Sequence, residues 1–117
     1  MYEIKVIDEF SGAHSLRHYK GKCESLHGHN WGVEVLVPDS KLNALGMVMD
    51  FKDLKSELKK VLSLLDHKYL NSLPYFKKKN PTSENIAFFI HKELSKRIKR
   101  RLKVSVWETE SSAASVW

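Results

Sequence analysis

A thiol and two imidazoles stand close together in Cys23-Glu24-Ser25-Leu26-His27-Gly28-His29. Side chains alternate with period two along an extended chain, so His27 and His29 share one face if the segment is a strand. The residues that follow support a strand. Trp31, Val33, Val35 and Val37 continue that face, while Asn30, Glu34 and Leu36 take the other. Imidazole is a good ligand for zinc, copper, iron or nickel, but a mononuclear site needs a third ligand. His14 is the best candidate. Residues 2–14 alternate with Tyr2, Ile4, Val6, Phe10 and His14 on one face and Glu3, Lys5, Glu9 and Ser11 on the other. Ile7 and Asp8 are exchanged, which allows a bulge near them. If this strand pairs antiparallel with 27–37, its end lies beside the start of its partner, and His14 meets His27 and His29. Three histidines with an open fourth position describe a catalytic zinc site better than a structural one, which is usually closed and cysteine-rich. Three unrelated histidines are the plainer reading; the thiol upstream and the strand geometry weigh against it.

Three further groups could take part in chemistry. Cys23 could be a fourth ligand, an acid/base or nucleophilic thiol, or inert, and its four-residue distance from His27 does not separate these. Asp66-His67 pairs a carboxylate with an imidazole, the arrangement that fixes a tautomer and raises basicity, although a histidine capping a helix end reads the same way. Glu108 ends a segment that is otherwise apolar on its face. It is either exposed at a sheet end or placed to accept the paired N–H donors of a guanidine-like heterocycle.

The elements that must position these groups can be read from periodicity and capping. Residues 15–26 form a polar connector, longer than a tight hairpin needs, that delivers Cys23 to the histidines. After Pro38-Asp39-Ser40, a helix is predicted from Asp50 as N-cap to about Leu65, with Phe51, Leu54, Leu58, Val61, Leu62 and Leu65 on its buried stripe. A second helix starts at Pro81-Thr82-Ser83-Glu84-Asn85 with Thr82 as N-cap, and buries Ile86, Phe89, Ile90, Leu94 and Ile98. Residues 102–108 alternate again, with Leu102, Val104, Val106 and Glu108 on one face, and 113–117 form a last strand. The order strand-strand-helix-helix-strand-strand gives an α+β fold: an antiparallel four-stranded sheet beside two helices, with both edges open to other subunits.

The totals bound what such a chain can be. A length of 117 residues predicts a single domain over 1–117. Hydrophobic residues at 42% and charged residues at 29% are ordinary for a globular chain, and no apolar run approaches the ~20 residues that cross a bilayer. The start Met1-Tyr2-Glu3-Ile4-Lys5 lacks the layout of a signal peptide, and one cysteine makes no internal disulfide, so a cytoplasmic setting is expected, without a membrane partner. A net charge of +6 suits nucleic acid, an anionic surface or a phosphorylated substrate. Much of it lies in Lys77-Lys78-Lys79 and Lys96-Arg97-Ile98-Lys99-Arg100-Arg101, runs of the kind usually found as solvated loops and helix ends.

Taken together, the motifs resemble the 6-pyruvoyltetrahydropterin synthase superfamily of the tunnelling fold. His14 after Phe10-Ser11-Gly12-Ala13, Cys-x-x-x-His-Gly-His over 23–29, Met49-Asp50-Phe51, Asp66-His67, Pro81-Thr82-Ser83-Glu84-Asn85 and Trp107-Glu108-Thr109 follow the family's order across nearly the whole chain. The three-residue gap between Cys23 and His27 is similar to that of the 6-carboxytetrahydropterin synthases of queuosine biosynthesis. The resemblance implies a zinc-dependent lyase acting on 7,8-dihydroneopterin triphosphate, with release of acetaldehyde and triphosphate. It further implies zinc on His14, His27 and His29, and proton exchange by Cys23, Asp66 and His67. By the same resemblance, Glu108 is expected to anchor the pterin, with Thr82, Ser83 and Glu84 nearby. The family assembles its sheets into an oligomeric barrel, which implies a homohexamer with sites between subunits. No family motif marks the triphosphate contacts; Arg17, His18 and Lys22 are candidates by position. The close rival is a pyruvoyl or folate-pathway sister enzyme on the same substrate. A zinc-stabilised nucleic-acid-binding module is a distant one, since it leaves Asp66-His67 and Glu108 without a role, and no nucleic-acid partner is expected.

Overall fold

The computed structural model of the chain describes residues 1–21 and 24–117. Two thirteen-residue strands, β1 (Tyr2–His14) and β2 (His27–Asp39), pair antiparallel along their whole length, from Tyr2 opposite Asp39 to His14 opposite His27. Helix α1 (Phe51–Leu62) follows, then a two-residue strand β3 (Lys68–Tyr69), helix α2 (Ser83–Arg97), and the antiparallel pair β4 (Lys103–Thr109) and β5 (Ser112–Val116). The sheet order is β3-β1-β2-β4-β5, with both helices on one face. None of the helices among the described residues is long and apolar enough to cross a membrane.

Alternation decides which face is buried. Val6, Phe10 and His14 of β1, Trp31, Val33, Val35 and Val37 of β2, and Val104 and Val106 of β4 all turn inward. They meet Leu54, Leu58, Val61 and Leu62 of α1 and Ile86, Phe89, Ile90 and Leu94 of α2, so both helices bury the stripes that their spacing predicted. Both expected caps are present. Asp50 Oδ1 accepts from the Lys52 N–H at 2.8 Å, and Thr82 Oγ1 accepts from the Asn85 N–H at 3.1 Å.

Four details differ from expectation. The sheet has five strands rather than four, because the chain turns at His67 (φ 57°) and lays Lys68 and Tyr69 parallel to Gly12 and Ala13. Two residues are too few to show a period. No bulge breaks β1 near Ile7 and Asp8. Asp8 stays on the inner face because buried Val6 and Phe10 hold the register on either side of it; Lys59 of α1 pairs with it at 3.6 Å, and Ile7 is left outside, 67% exposed. The bulge lies instead in β4, where Trp107 pairs with Ala113 and Thr109 with Ser112, so that Glu108 is the extra residue. Finally, α1 ends at Leu62 and its first residue, Phe51, is 52% exposed at the rim; Leu65 reaches the core from the turn beyond the helix.

Trp31 joins this core to the histidine end of the sheet. Its ring is fully buried, lies parallel to Phe10 at 6.1 Å and edge-on to His14 at 4.8 Å, and its Nε1–H donates to the Gly12 carbonyl at 3.1 Å. Trp31→Phe removes that donor and leaves space beside His14. The expected loss is about 1–3 kcal/mol of unfolding free energy, read from urea denaturation.

Candidate metal centre

His14 ends β1 and His27 opens β2, directly opposite each other in the ladder; His29 lies two residues on, on the same face. The antiparallel register therefore brings the three rings together. Their centroids are 4.6 to 5.2 Å apart, all roughly edge to face. Glu108 comes in from β4, with Oε1 3.1 Å from His29 Nε2 and 3.8 Å from His14 Nε2. The four potential ligand atoms lie within 4.8 Å of one another, a set that could hold a metal ion.

Backbone carbonyls set the tautomers. His14 Nδ1 lies 2.8 Å from the Pro81 carbonyl oxygen, and His27 Nδ1 lies 2.9 Å from that of Ser25. A carbonyl only accepts, so each Nδ1 carries a hydrogen and each neutral ring presents a lone pair at Nε2. Those two Nε2 atoms face each other at 3.0 Å. Lone pair against lone pair is repulsive unless a proton or a cation lies between them. Burial pushes the His14 pKa down and the neighbouring His27 and His29 act in the same direction, against the Pro81 hydrogen bond and the Glu108 charge. His14 is thus held neutral, with its lone pair free. His29 Nε2 is buried and makes no hydrogen bond; Glu108 is near enough for charge attraction, but not aligned to accept.

These features fit a transition metal. Tetrahedral zinc at about 2.0–2.1 Å from each ligand separates imidazole nitrogens by about 3.3 Å, close to what His14 and His27 present. The site is graded in access. His14 is 2% exposed, whereas His27 is 36% exposed, so the cluster opens on the His27 side.

Asp66 and His67 lie beside β1 rather than within the cluster. Asp66 Oδ1 accepts from the Ser11 N–H at 2.9 Å, and the His67 N–H donates to the Ser11 carbonyl at 2.6 Å. The His67 ring is largely exposed, with Nδ1 3.0 Å from Asp66 Oδ1. The Ser11 N–H holds the Asp66 carboxyl below the usual range; burial opposes it, and His67 adds to the lowering. One open groove of about 550 Å³ is lined by both His29 and His67, together with Asn30 and Tyr69. In a single chain the two groups therefore share a groove but not a contact shell.

The remaining candidates separate. Cys23 and Lys22 lie outside the described residues. Thr82 is occupied as the cap of α2, Ser83 is half-buried, and Glu84 is exposed in the first helical turn, three residues after the Pro81 whose carbonyl holds His14. The Arg17 guanidinium is partly engaged within the chain. Its Nη1 and Nη2 donate to the carbonyls of Lys79 and Asn71, at 3.2 and 3.1 Å, which ties it into the structure with two of its five N–H groups. His18 is exposed. Sequence reasoning missed the Pro81 and Ser25 carbonyls, which as backbone groups leave no trace in residue type. It also missed how near Glu108 comes to the histidines, because the bulge that aims it belongs to a pair of strands.

The chain matches the model of the 6-pyruvoyl tetrahydropterin synthase family over residues 3–117. It is 40% identical over 111 residues to the 6-carboxy-5,6,7,8-tetrahydropterin synthase of Synechocystis, covering 90% of this chain and 84% of that one. It is also 40% identical over 95 residues to the 6-pyruvoyl tetrahydrobiopterin synthase of Dictyostelium discoideum, covering 79% and 70%. The structure of Caenorhabditis elegans 6-pyruvoyl tetrahydropterin synthase superposes with a TM-score of 0.85 at 27% identity, over 98% of this chain and 94% of that one. With strands, helices and histidine cluster all inside the matched span, the chain belongs to the 6-pyruvoyl tetrahydropterin synthase family, and its fold is the tunnelling fold.

Proposed function

We propose that the protein is a zinc-dependent 6-carboxytetrahydropterin synthase of queuosine biosynthesis. It converts 7,8-dihydroneopterin triphosphate to 6-carboxy-5,6,7,8-tetrahydropterin, with release of acetaldehyde and triphosphate. The observation that carries the reading is the convergence of three imidazoles, whose potential ligand atoms lie within 4.8 Å of one another, two of them presenting Nε2 lone pairs because carbonyls hold their Nδ1–H. The three-residue gap between Cys23 and His27, and the match to the Synechocystis enzyme over 90% of this chain against 79% for the Dictyostelium one, favour the carboxy product. The equal identity to the Dictyostelium enzyme makes the pyruvoyl product the second reading.

In this mechanism His14, His27 and His29 hold zinc, which supplies Lewis acidity toward the side-chain oxygens of the substrate. Asp66 stays anionic at neutral pH and holds the Nδ1–H of His67, which leaves Nε2 of His67 to accept a proton. Cys23 is the partner acid or base. Glu108, half-exposed at the rim of the histidines, accepts the paired N–H donors of the pterin, with Thr82, Ser83 and Glu84 beside it. A homohexamer completes the site. The exposed β5 edge continues into a neighbouring sheet, and Cys23 and the Asp66–His67 pair reach one centre from different subunits.

Purified protein is expected to carry about one zinc per chain, with His27→Ala or His29→Ala losing most of it. Occupancy should fall as the pH drops, because only neutral imidazoles bind. Full zinc content in a His14/His27/His29 triple substitution would exclude the site.

Incubation with 7,8-dihydroneopterin triphosphate and mass analysis of the pterin decides between the two products. Acetaldehyde appearing with a 6-carboxy pterin supports the first reading; a pyruvoyl side chain retained on the ring supports the second.

Cys23→Ala tests the thiol. An acid or base beside open zinc predicts retained zinc and pterin binding with turnover lowered ~10²–10⁴-fold. Zinc lost together with activity would make the thiol a ligand, and unchanged turnover would make it inert.

A further inference from the structure

Beyond His14 the backbone leaves the ladder, yet its polar groups remain paired. The Ser15 N–H donates to Asn71 Oδ1 at 3.0 Å, and the Ser15 carbonyl accepts from Asn71 Nδ2 at 2.8 Å. Two residues on the pattern repeats. The Arg17 N–H donates to Asn80 Oδ1 at 2.8 Å, and the Arg17 carbonyl accepts from Asn80 Nδ2 at 3.0 Å. Alternate residues with both backbone groups bonded to one partner are what a neighbouring antiparallel strand provides. Here two side-chain amides take the strand's place.

The arrangement closes on itself. The Arg17 guanidinium bonds the Asn71 and Lys79 carbonyls, and Asn85 Nδ2 donates to the Asn80 carbonyl at 2.8 Å. Asn80 also precedes Pro81, whose carbonyl holds His14 Nδ1. The backbone just after His14 and the ring of His14 are therefore both held by the segment that carries these amides. Asn71 is only 6% exposed, so its pairing is not exchangeable with water.

We propose that Asn71 and Asn80 are positioning residues for the metal centre, acting as a two-residue surrogate strand that fixes the direction of His14 and of the connector after it. The proposal rests on His14, His27 and His29 being the zinc ligands. A carboxamide is required because each site must both accept an N–H and donate to a carbonyl on a short stem. Asp accepts but does not donate, and it would set a carboxylate against the Arg17 carbonyl.

The test compares wild type, Asn80→Asp, Asn80→Ser and Ile98→Ala, the last a core change at the far end of α2 that lowers stability without touching this segment. Zinc affinity is measured by chelator competition on the full-length protein, the unfolding midpoint in urea, and the His14 Nδ1–H signal by nitrogen-15 NMR on metal-free samples. Both Asn80 variants are expected to bind zinc ~10-fold or more weakly, within the range seen when the outer partners of ligands are lost, and to lose or broaden the His14 signal. Ile98→Ala is expected to lower the midpoint while leaving affinity within about 2-fold and the signal intact. Zinc affinity falling no further in the Asn80 variants than in Ile98→Ala, with an unchanged His14 signal, would overturn the proposal and leave the amides a stabilising role only. If wild type binds no zinc, the functional reading fails instead, and the His14 signal alone decides: weakened in the Asn80 variants it supports the surrogate strand, unchanged it overturns it.

Discussion

The register of the β1–β2 ladder is the constraint on which the candidate site depends. His14 and His27 are opposite partners at one end of an unbroken run of antiparallel pairs. A slip of one residue would send either the first histidine or the other two to the outer face. What prevents the slip runs from beside the histidines to the far end of the strands. Val6, Phe10, Trp31, Val33, Val35 and Val37 are nearly fully buried, and turning them outward would expose the core that α1 and α2 cover. At ~25 cal/mol per Å² of apolar surface, that is a far larger free-energy difference than any one contact among the rings. The geometry of the site is thus set by hydrophobic patterning, and its chemistry by what stands at the end of the pattern.

Two kinds of rigidity meet there. The strands fix where the imidazoles begin, and carbonyls from separate segments fix how they turn. Pro81 belongs to the entry of α2 and Ser25 to the connector before β2. The same entry segment caps its helix through Thr82, so the bond that starts α2 and the bond that orients His14 are neighbours in the chain. Electrostatics then follow from position. The most buried ring is the one whose pKa burial lowers, and the carboxylate of Glu108 lies beside it and His29.

The sequence made legible whatever repeats or caps. Period two placed His14, His27 and His29 on the core face, helical spacing found both buried stripes, and Asp50 and Thr82 announced themselves by side-chain type. Features that depend on a partner stayed hidden. Two residues of β3 carry no period, and they pair only because His67 adopts a left-handed backbone. Asp8 looked misplaced because Lys59, some fifty residues away, could not be read as its partner. The bulge at Glu108 is defined by β5 as much as by β4, and the carbonyls that orient the imidazoles have no residue type at all. Phe51 was assigned to the buried stripe by spacing, whereas at the first turn the helix has not yet reached the sheet.

The attachment of Asp66 and His67 has a consequence for how the protein can vary. Both hang from a single residue of β1, Ser11, through one donor and one acceptor. Their position is therefore inherited from the sheet, although they follow a helix in the chain. The turn at 63–65 that joins them to α1 is pinned as well, since Leu65 is buried and the Leu64, Leu65 and Asp66 N–H groups donate to the Val61 and Leu62 carbonyls. Slack lies instead ahead of the helix, where 40–46 are exposed, much as a cable run can be rerouted without moving the socket at its end. Divergence in length among relatives should then collect before α1, while spacing along β1 between Ser11 and His14 stays fixed, because that short stretch alone carries the distance between the two halves of the chemistry.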